Sequence, residues 1–107
     1  MVILFMKLYS GYIMYQATID LTDCKSLMEL HERIKVGLHL DDGYGRNLYA
    51  FWDEINRNIP CNFITVKGSK TVSKDLTGKV EKMREILERN KQYWAHSKHP
   101  FDYEFID

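Results

Sequence analysis

The sequence has no net charge, only two cysteines and no long apolar run. Fifteen Lys and Arg residues balance fifteen Asp and Glu residues, so no whole-chain field attracts nucleic acid or a membrane surface. Cys24 and Cys61 stand far apart without a close-spaced partner, which excludes a CxxC metal or redox unit and is a poor basis for a disulfide framework. The expected compartment is therefore the reducing cytoplasm.

The apolar N-terminus is too short to be a signal peptide or a membrane span. Its run MVILFM ends after six residues at Lys7, and no basic segment precedes it. We assign residues 1–13 to an N-terminal extension of unknown role. Three alternatives stay open for it: a stretch upstream of a natural start at Met14, an added strand, or an apolar docking segment. Residues 14–107 are expected to form one domain, since a chain of 107 residues with 45% apolar content can bury a single core.

Hydrophobic periodicity divides this domain into strands and helices. Alternation from Tyr15 to Leu21 predicts a half-buried strand. Ser26 and Glu29 form a capping box, and the apolar spacing that follows predicts a helix over about 27–38. The segment NFITVK, residues 62–67, predicts a second strand. A third helix with an irregular first turn at 70–77 and a last strand after Pro100 complete the pattern.

A further helix is predicted between the first helix and the second strand. Its apolar residues fall on one stripe: Leu48, Phe51, Trp52 and Ile55. Asn47 is its expected N-cap, and it ends near Asn58, before Pro60. Both connections between consecutive strands therefore contain helices, as parallel pairing requires. The predicted fold class is α/β: a two-layer domain with a three-stranded parallel sheet and helices packed on one face.

Burial of that apolar stripe leaves another face of the same helix for function. Tyr49 and Asp53 are four residues apart and share this face, and Asn56 is expected to continue it. The preceding loop, Gly43-Tyr44-Gly45, can approach closely or adopt positive φ, and places Tyr44 beside the helix start. An exposed tyrosine and aspartate on a rigid helix are typical of a protein-binding surface. From these residues alone, however, a solvated Asp53 that has no role is the favoured interpretation.

An enzyme is not expected. Asp53 has no His, Ser or Cys near it in sequence that would complete an acid–base pair or activate a nucleophile. His96 and His99 lack a cysteine or carboxylate cluster at ligand spacing, which favours surface histidines over a zinc site. We therefore expect no catalytic residue, no metal site and no cofactor.

The segment YGRNLYAFWD, residues 44–53, resembles the tyrosine-glycine-x-asparagine-leucine-x-alanine-leucine-tryptophan-aspartate segment of the barstar family, with Phe51 in a leucine position. Barstars are intracellular inhibitors of the ribonuclease barnase. Leu30-His31 followed by Ile34-Lys35 is similar to the first helix of that family. The likeness covers about residues 15–107 and implies a barstar-like fold.

The resemblance implies a stoichiometric inhibitor that inserts its second helix and the preceding loop into the active site of a small ribonuclease, of the extracellular or toxin type. Asp53 matches the aspartate that takes the place of an RNA phosphate. Tyr49 stands where the family carries a second aspartate, and Gly43 replaces the first of two tyrosines. Glu85, in a stretch similar to part of the third helix of the family, is implied as an outlying acidic contact. The expected partner-binding residues are Tyr44, Gly45, Asn47, Leu48, Tyr49, Trp52, Asp53 and Glu85.

Charge distribution along the chain supplies an alternative function. Residues 67–99 hold nine bases and four acids, so the third helix, with Tyr93 and Trp94, could bind RNA or act as another interaction module. Three glutamates are interleaved with its bases, Glu81, Glu85 and Glu88, which argues against a continuous track for phosphates. A protein partner and a monomeric state are therefore expected, without nucleic acid or membrane.

Overall fold

A computed structural model describes residues 5–9, 12–59 and 61–107. The elements follow in the order β1 (Phe5–Tyr9), β2 (Tyr12–Asp20), α1 (Leu27–Leu38), α2 (Leu48–Asp53), β3 (Cys61–Lys67), α3 (Thr77–Tyr93) and β4 (Asp102–Ile106). A π-helical turn, Glu54–Asn58, continues α2, and two 3₁₀ turns, Ser69–Thr71 and Lys74–Leu76, precede α3. Pro60, which precedes β3, lies outside the described residues.

The sheet has the strand order β1-β2-β3-β4. Strands β2, β3 and β4 are mutually parallel, as predicted, because α1 and α2 connect the first pair and α3 connects the second. Strand β1 adds a fourth, antiparallel strand at the edge beside β2. Residues 5–9 thus form the added strand, one of the three alternatives for the N-terminal segment.

One face of the sheet carries the core. Ala17 pairs with Ile64 and Ile64 with Tyr103, so that these side chains point to the same side of the sheet, where the helices pack. The opposite face is polar, as the row Thr18, Thr65 and Glu104 shows. The two-layer α/β architecture with helices on one face is therefore confirmed.

The first helix is fixed at both ends by its own residues. Ser26 caps it by accepting a hydrogen bond from the backbone N–H of Glu29 at 3.1 Å, and the Glu29 side chain in turn accepts from the backbone N–H of Lys25 at 3.0 Å. His39 ends it in a left-handed conformation with φ 59°. The predicted capping residue and the span 27–38 are both confirmed.

Candidate functional site

The second helix begins where the sequence predicts, at the Asn47 cap. The Asn47 side-chain oxygen accepts a hydrogen bond from the backbone N–H of Ala50 at 2.8 Å. Its amide nitrogen donates to the carbonyl of Gly45 at 3.1 Å, so one side chain joins the glycine loop to the helix. Positive φ in this loop falls on Arg46, at 51°, and not on a glycine. Gly45 instead permits close approach, since a Cβ there would lie 3.2 Å from the Cβ of Ala50.

The apolar stripe sets the rotation of α2. Phe51 is fully buried and Ile55 is 2% exposed, while Leu48 and Trp52 are half-buried. Tyr49, in contrast, is 86% exposed. The structure therefore confirms that Tyr49 lies outside the core.

Asp53 is also exposed, as predicted. Within the described residues its carboxylate has no hydrogen-bond or ion-pair partner. We call Tyr49 and Asp53 the exposed face of α2. This face presents an aromatic ring and an uncompensated negative charge to solvent.

Tyr44 does not lie on this surface, and its predicted exposure is wrong. Its side chain is 5% exposed and belongs to the core. The hydroxyl lies 2.9 Å from Nδ1 of His31, which is itself buried at 3% exposure. A tyrosine can enter the core when its hydroxyl finds a hydrogen-bond partner there. Tyr44 therefore anchors the glycine loop from the inside.

Asn56 is a second correction, because it was expected to continue the exposed face and is 5% exposed. The π turn that starts at Glu54 uses i→i+5 hydrogen bonding, such as Ile59 N–H to Glu54 C=O at 3.1 Å, and changes the angular position of the residues in it. Asn56 thereby reaches α3 and donates a hydrogen bond to Oδ1 of Asn90 at 2.9 Å.

A groove lies beside the exposed face, between α2 and α3. It encloses about 570 Å³. Five of the predicted contact residues line it: Asn47, Leu48, Tyr49, Trp52 and Glu85. Tyr44, Gly45 and Asp53 are not among its lining residues. We call this cavity the α2/α3 groove.

Sequence reasoning did not assign the basic residues of this groove to the site. Arg46, Lys79, Lys82 and Arg89 line it, against a single acidic residue, Glu85. The signal was present in the sequence, since residues 79, 82 and 89 follow the same helical row as Glu85 and Ile86. What the sequence did not show is that this row faces α2.

Two of these four bases already have ion-pair partners. Arg46 binds Glu32 at 2.9 Å, and Lys82 binds Glu85 at 3.3 Å. In the part of the chain that the structure describes, Lys79 and Arg89 have no ion-pair partner. The groove thus keeps an excess of positive charge.

Outside the groove, the bases of α3 are paired with acidic residues, which offset their charge. Arg84 binds Glu81 at 3.5 Å, and Lys91 binds Asp102 at 3.2 Å. The Tyr93 ring packs edge-on against that of Trp94, with ring centroids 5.1 Å apart. Tyr93 stays 61% exposed, but the pairing of these bases with acids leaves, among the described residues, no continuous positive track beside it for the phosphates of single-stranded RNA.

The buried His31 should make stability depend on pH. Burial lowers the pKa of His31 below its ordinary value of 6.5, and the nearby charges of Lys79 and Arg46 lower it further. The unfolded chain therefore takes up a proton near pH 6.5 that the folded protein resists, so the free energy of unfolding should fall as pH drops below 6.5. Urea unfolding at pH 7.5 and 5.5 measures this loss, and His31→Gln should reduce it. Equal losses in the two proteins would contradict the assignment to His31.

The described residues contain neither a membrane-spanning helix nor a metal-binding cluster. None of the helices there combines the length and the apolar character needed to cross a membrane. In the same ranges, no three side chains of His, Cys, Asp or Glu are grouped so that they could hold a metal ion.

Comparison with known proteins gives one family match. Residues 14–106 match the family described as Barstar (barnase inhibitor), which is nearly the whole chain. No curated protein matches the sequence.

Proposed function

Because the chain belongs to the barstar family, which is a family of barnase inhibitors, we propose that it is a stoichiometric inhibitor of a small barnase-type ribonuclease. The observation that carries this proposal is the exposed, unpaired carboxylate of Asp53 beside the exposed ring of Tyr49. The family is one of inhibitors, not of enzymes.

The physical basis is charge complementarity. A ribonuclease must hold RNA phosphates, so its active site is cationic. A carboxylate that is fixed on a helix can enter such a site and accept charge-assisted hydrogen bonds from arginine or histidine. It also speeds encounter between the proteins through long-range attraction. Since Asp53 has no partner within the described chain, it gives up no intramolecular ion pair when it binds.

The other predicted contact residues have different roles in the proposed interface. Asn47 and Gly45 fix the loop against the start of α2. Leu48 and Trp52, half-buried in the apolar stripe, hold the exposed face of α2 in position and line its edge. Tyr49 replaces a charge with an aromatic contact, and Glu85 supplies an acid across the groove. Tyr44 acts from the core and does not touch the partner.

The loop adds less negative charge than its sequence indicates. Asp42 forms an ion pair with Lys35, and Asp41 accepts a hydrogen bond from the backbone N–H of Gly43 at 2.8 Å. Asp41, whose hydrogen-bond donor is a neutral amide, keeps its charge and adds to that of Asp53 in attracting a cationic site.

The cytoplasm and a monomeric state are also part of the proposal. Cys24 and Cys61 are buried free thiols, which supports a reducing compartment. An inhibitor that protects the cell in which a ribonuclease is made has to act there.

Titration of ribonuclease activity tests the function. The full chain is added in steps to two enzymes, barnase and a small ribonuclease encoded beside this gene, with a fluorogenic RNA as substrate. We expect activity of at least one enzyme to fall linearly to zero at one inhibitor per enzyme. Undiminished activity of both enzymes at a tenfold molar excess would contradict the proposal.

A further inference from the structure

We propose that the α2/α3 groove receives an acidic segment of the ribonuclease that this chain inhibits, with Lys79 and Arg89 binding its carboxylates. This inference rests on the proposed function and adds the chemistry of a second contact region. A partner with only a cationic active site would complement Asp53 but not this groove.

The charges in the groove carry the argument. The groove is lined by four basic residues and one acidic residue. Of the four bases, Lys82 is paired with Glu85 and Arg46 with Glu32. Lys79 and Arg89 are left without an ion-pair partner among the described residues, one near each end of the α3 side. They are ten residues apart on the helix, a separation of about 15 Å at 1.5 Å per residue. An extended segment of about five residues covers that distance.

The shape of the groove favours a peptide segment over a single ion. Its volume of about 570 Å³ is large enough for several side chains. Leu27, Trp52 and Ile86 add apolar surface to the same groove, and Leu27 is 44% exposed. A lining that combines apolar and basic groups matches a segment in which acidic and apolar side chains are mixed.

RNA matches the same groove less well. Glu85 stands among the bases and would repel a phosphate chain that follows α3. A protein segment can place its carboxylates at the two ends and leave the middle uncharged. Tyr49 lies on both the exposed face of α2 and the groove, so a ribonuclease that binds Asp53 already extends over this region.

A groove of this charge would contribute to specificity among ribonucleases. A ribonuclease with basic residues opposite Lys79 and Arg89 would be repelled at those two points, whereas one with carboxylates there would gain contacts. The exposed face of α2 then supplies inhibition of the active site, and the groove selects among ribonucleases that share that site.

The first test uses short charged probes and the full chain labelled with ¹⁵N. An acetylated hexapeptide with a glutamate at each end and alanine and leucine between them, hexalysine and hexauridylate are titrated separately at low salt, and amide shifts are followed by NMR. We expect the acidic hexapeptide to perturb the amides of Lys79 and Arg89 and the indole of Trp52. The double variant Lys79→Gln/Arg89→Gln should bind it about tenfold more weakly. The matched control Lys74→Gln/Lys98→Gln removes two exposed bases that do not line the groove and should bind it nearly as the wild type does.

The second test measures the inhibition constant of the same variants against the ribonuclease that the chain inhibits. We expect the constant to rise about tenfold for the groove variant and not for the control. Unchanged inhibition by the groove variant overturns this inference, whatever the peptide does, and leaves the inhibitor function standing. Tighter binding of hexauridylate than of the acidic hexapeptide at the groove also overturns it. A chain that inhibits no ribonuclease removes the proposed function, and this inference with it.

Discussion

Asp53→Ala should nearly abolish binding to the target ribonuclease while it leaves the fold intact. Removing one partner of a desolvated, hydrogen-bonded charge pair costs about 2–5 kcal/mol, a range to which the barnase–barstar complex itself contributes. This corresponds to about a 30- to 5000-fold rise in Kd. The side chain is exposed and has no partner within the described residues, so thermal unfolding should be unchanged within about 0.5 kcal/mol. Surface plasmon resonance on the ribonuclease and a thermal melt give the two measurements.

A matched aspartate separates the role of position from that of charge. Asp75 is also exposed and lies before α3, away from the exposed face of α2. Asp75→Ala removes the same charge and should change Kd by less than about threefold, since only long-range steering is affected. Asp53→Asn keeps the shape and should still lose most of the affinity. Equal affinities of Asp53→Ala and wild type would refute the role of this carboxylate.

Gly37→Ala should destabilise the protein, although alanine is the better helix former. A Cβ at residue 37 would lie 2.5 Å from the carbonyl oxygen of Thr18 and 3.0 Å from Cα of Ile19, both of them backbone atoms of β2. Alanine gains about 1 kcal/mol of helix propensity, but forced displacement of packed backbone costs typically about 1–3 kcal/mol and sometimes more. We expect a net loss of up to about 2 kcal/mol in the free energy of unfolding, measured by urea denaturation.

Gly78→Ala is the matched control. It makes the same substitution near the start of α3, where an added Cβ meets no atom within 4 Å. Helix propensity then acts alone and should raise stability by up to about 1 kcal/mol. If both variants shift the urea midpoint in the same direction, the close approach of α1 to β2 is not what requires glycine at residue 37.

The elements with strong local signals were predictable from sequence. Ser26 and Glu29 specify the start of α1 through hydrogen bonds within four residues, and Asn47 specifies α2 in the same way. The alternation in β2 gives its buried face directly. The exposed face of α2 followed from the same logic, because four apolar residues determined which side of the helix faces the sheet.

The two wrong positions both depend on partners distant in sequence. Tyr44 is buried because His31, thirteen residues earlier, offers a nitrogen to its hydroxyl. Asn56 is buried because Asn90 meets it from α3, thirty-four residues away. Asn90 itself could have been noticed, since it lies on the stripe of Met83 and Leu87, and a polar residue there needs a buried partner. Which residue pairs with Asn90 is determined by the tertiary structure and cannot be read from the sequence.

The α2/α3 groove could not be derived from sequence for the same reason. The bases of α3 were visible as a mixed row with glutamates, but ion-pair geometry decides which of them remain uncompensated. Lys82 and Arg84 are engaged by neighbours on their own helix, whereas Lys79 and Arg89 are not. The amino-acid composition does not distinguish paired bases from unpaired ones.

The π turn at Glu54–Asn58 divides its helix into halves that evolution can treat separately. Ahead of it, Tyr49 and Asp53 can be substituted without loss of the interior, since both are exposed. Behind it, Asn56 donates a hydrogen bond to Asn90, and a one-residue deletion that restored regular α-helical pitch would break this bond. The length of the turn is therefore constrained by the core, whereas the exposed face of α2 is constrained only by what it binds.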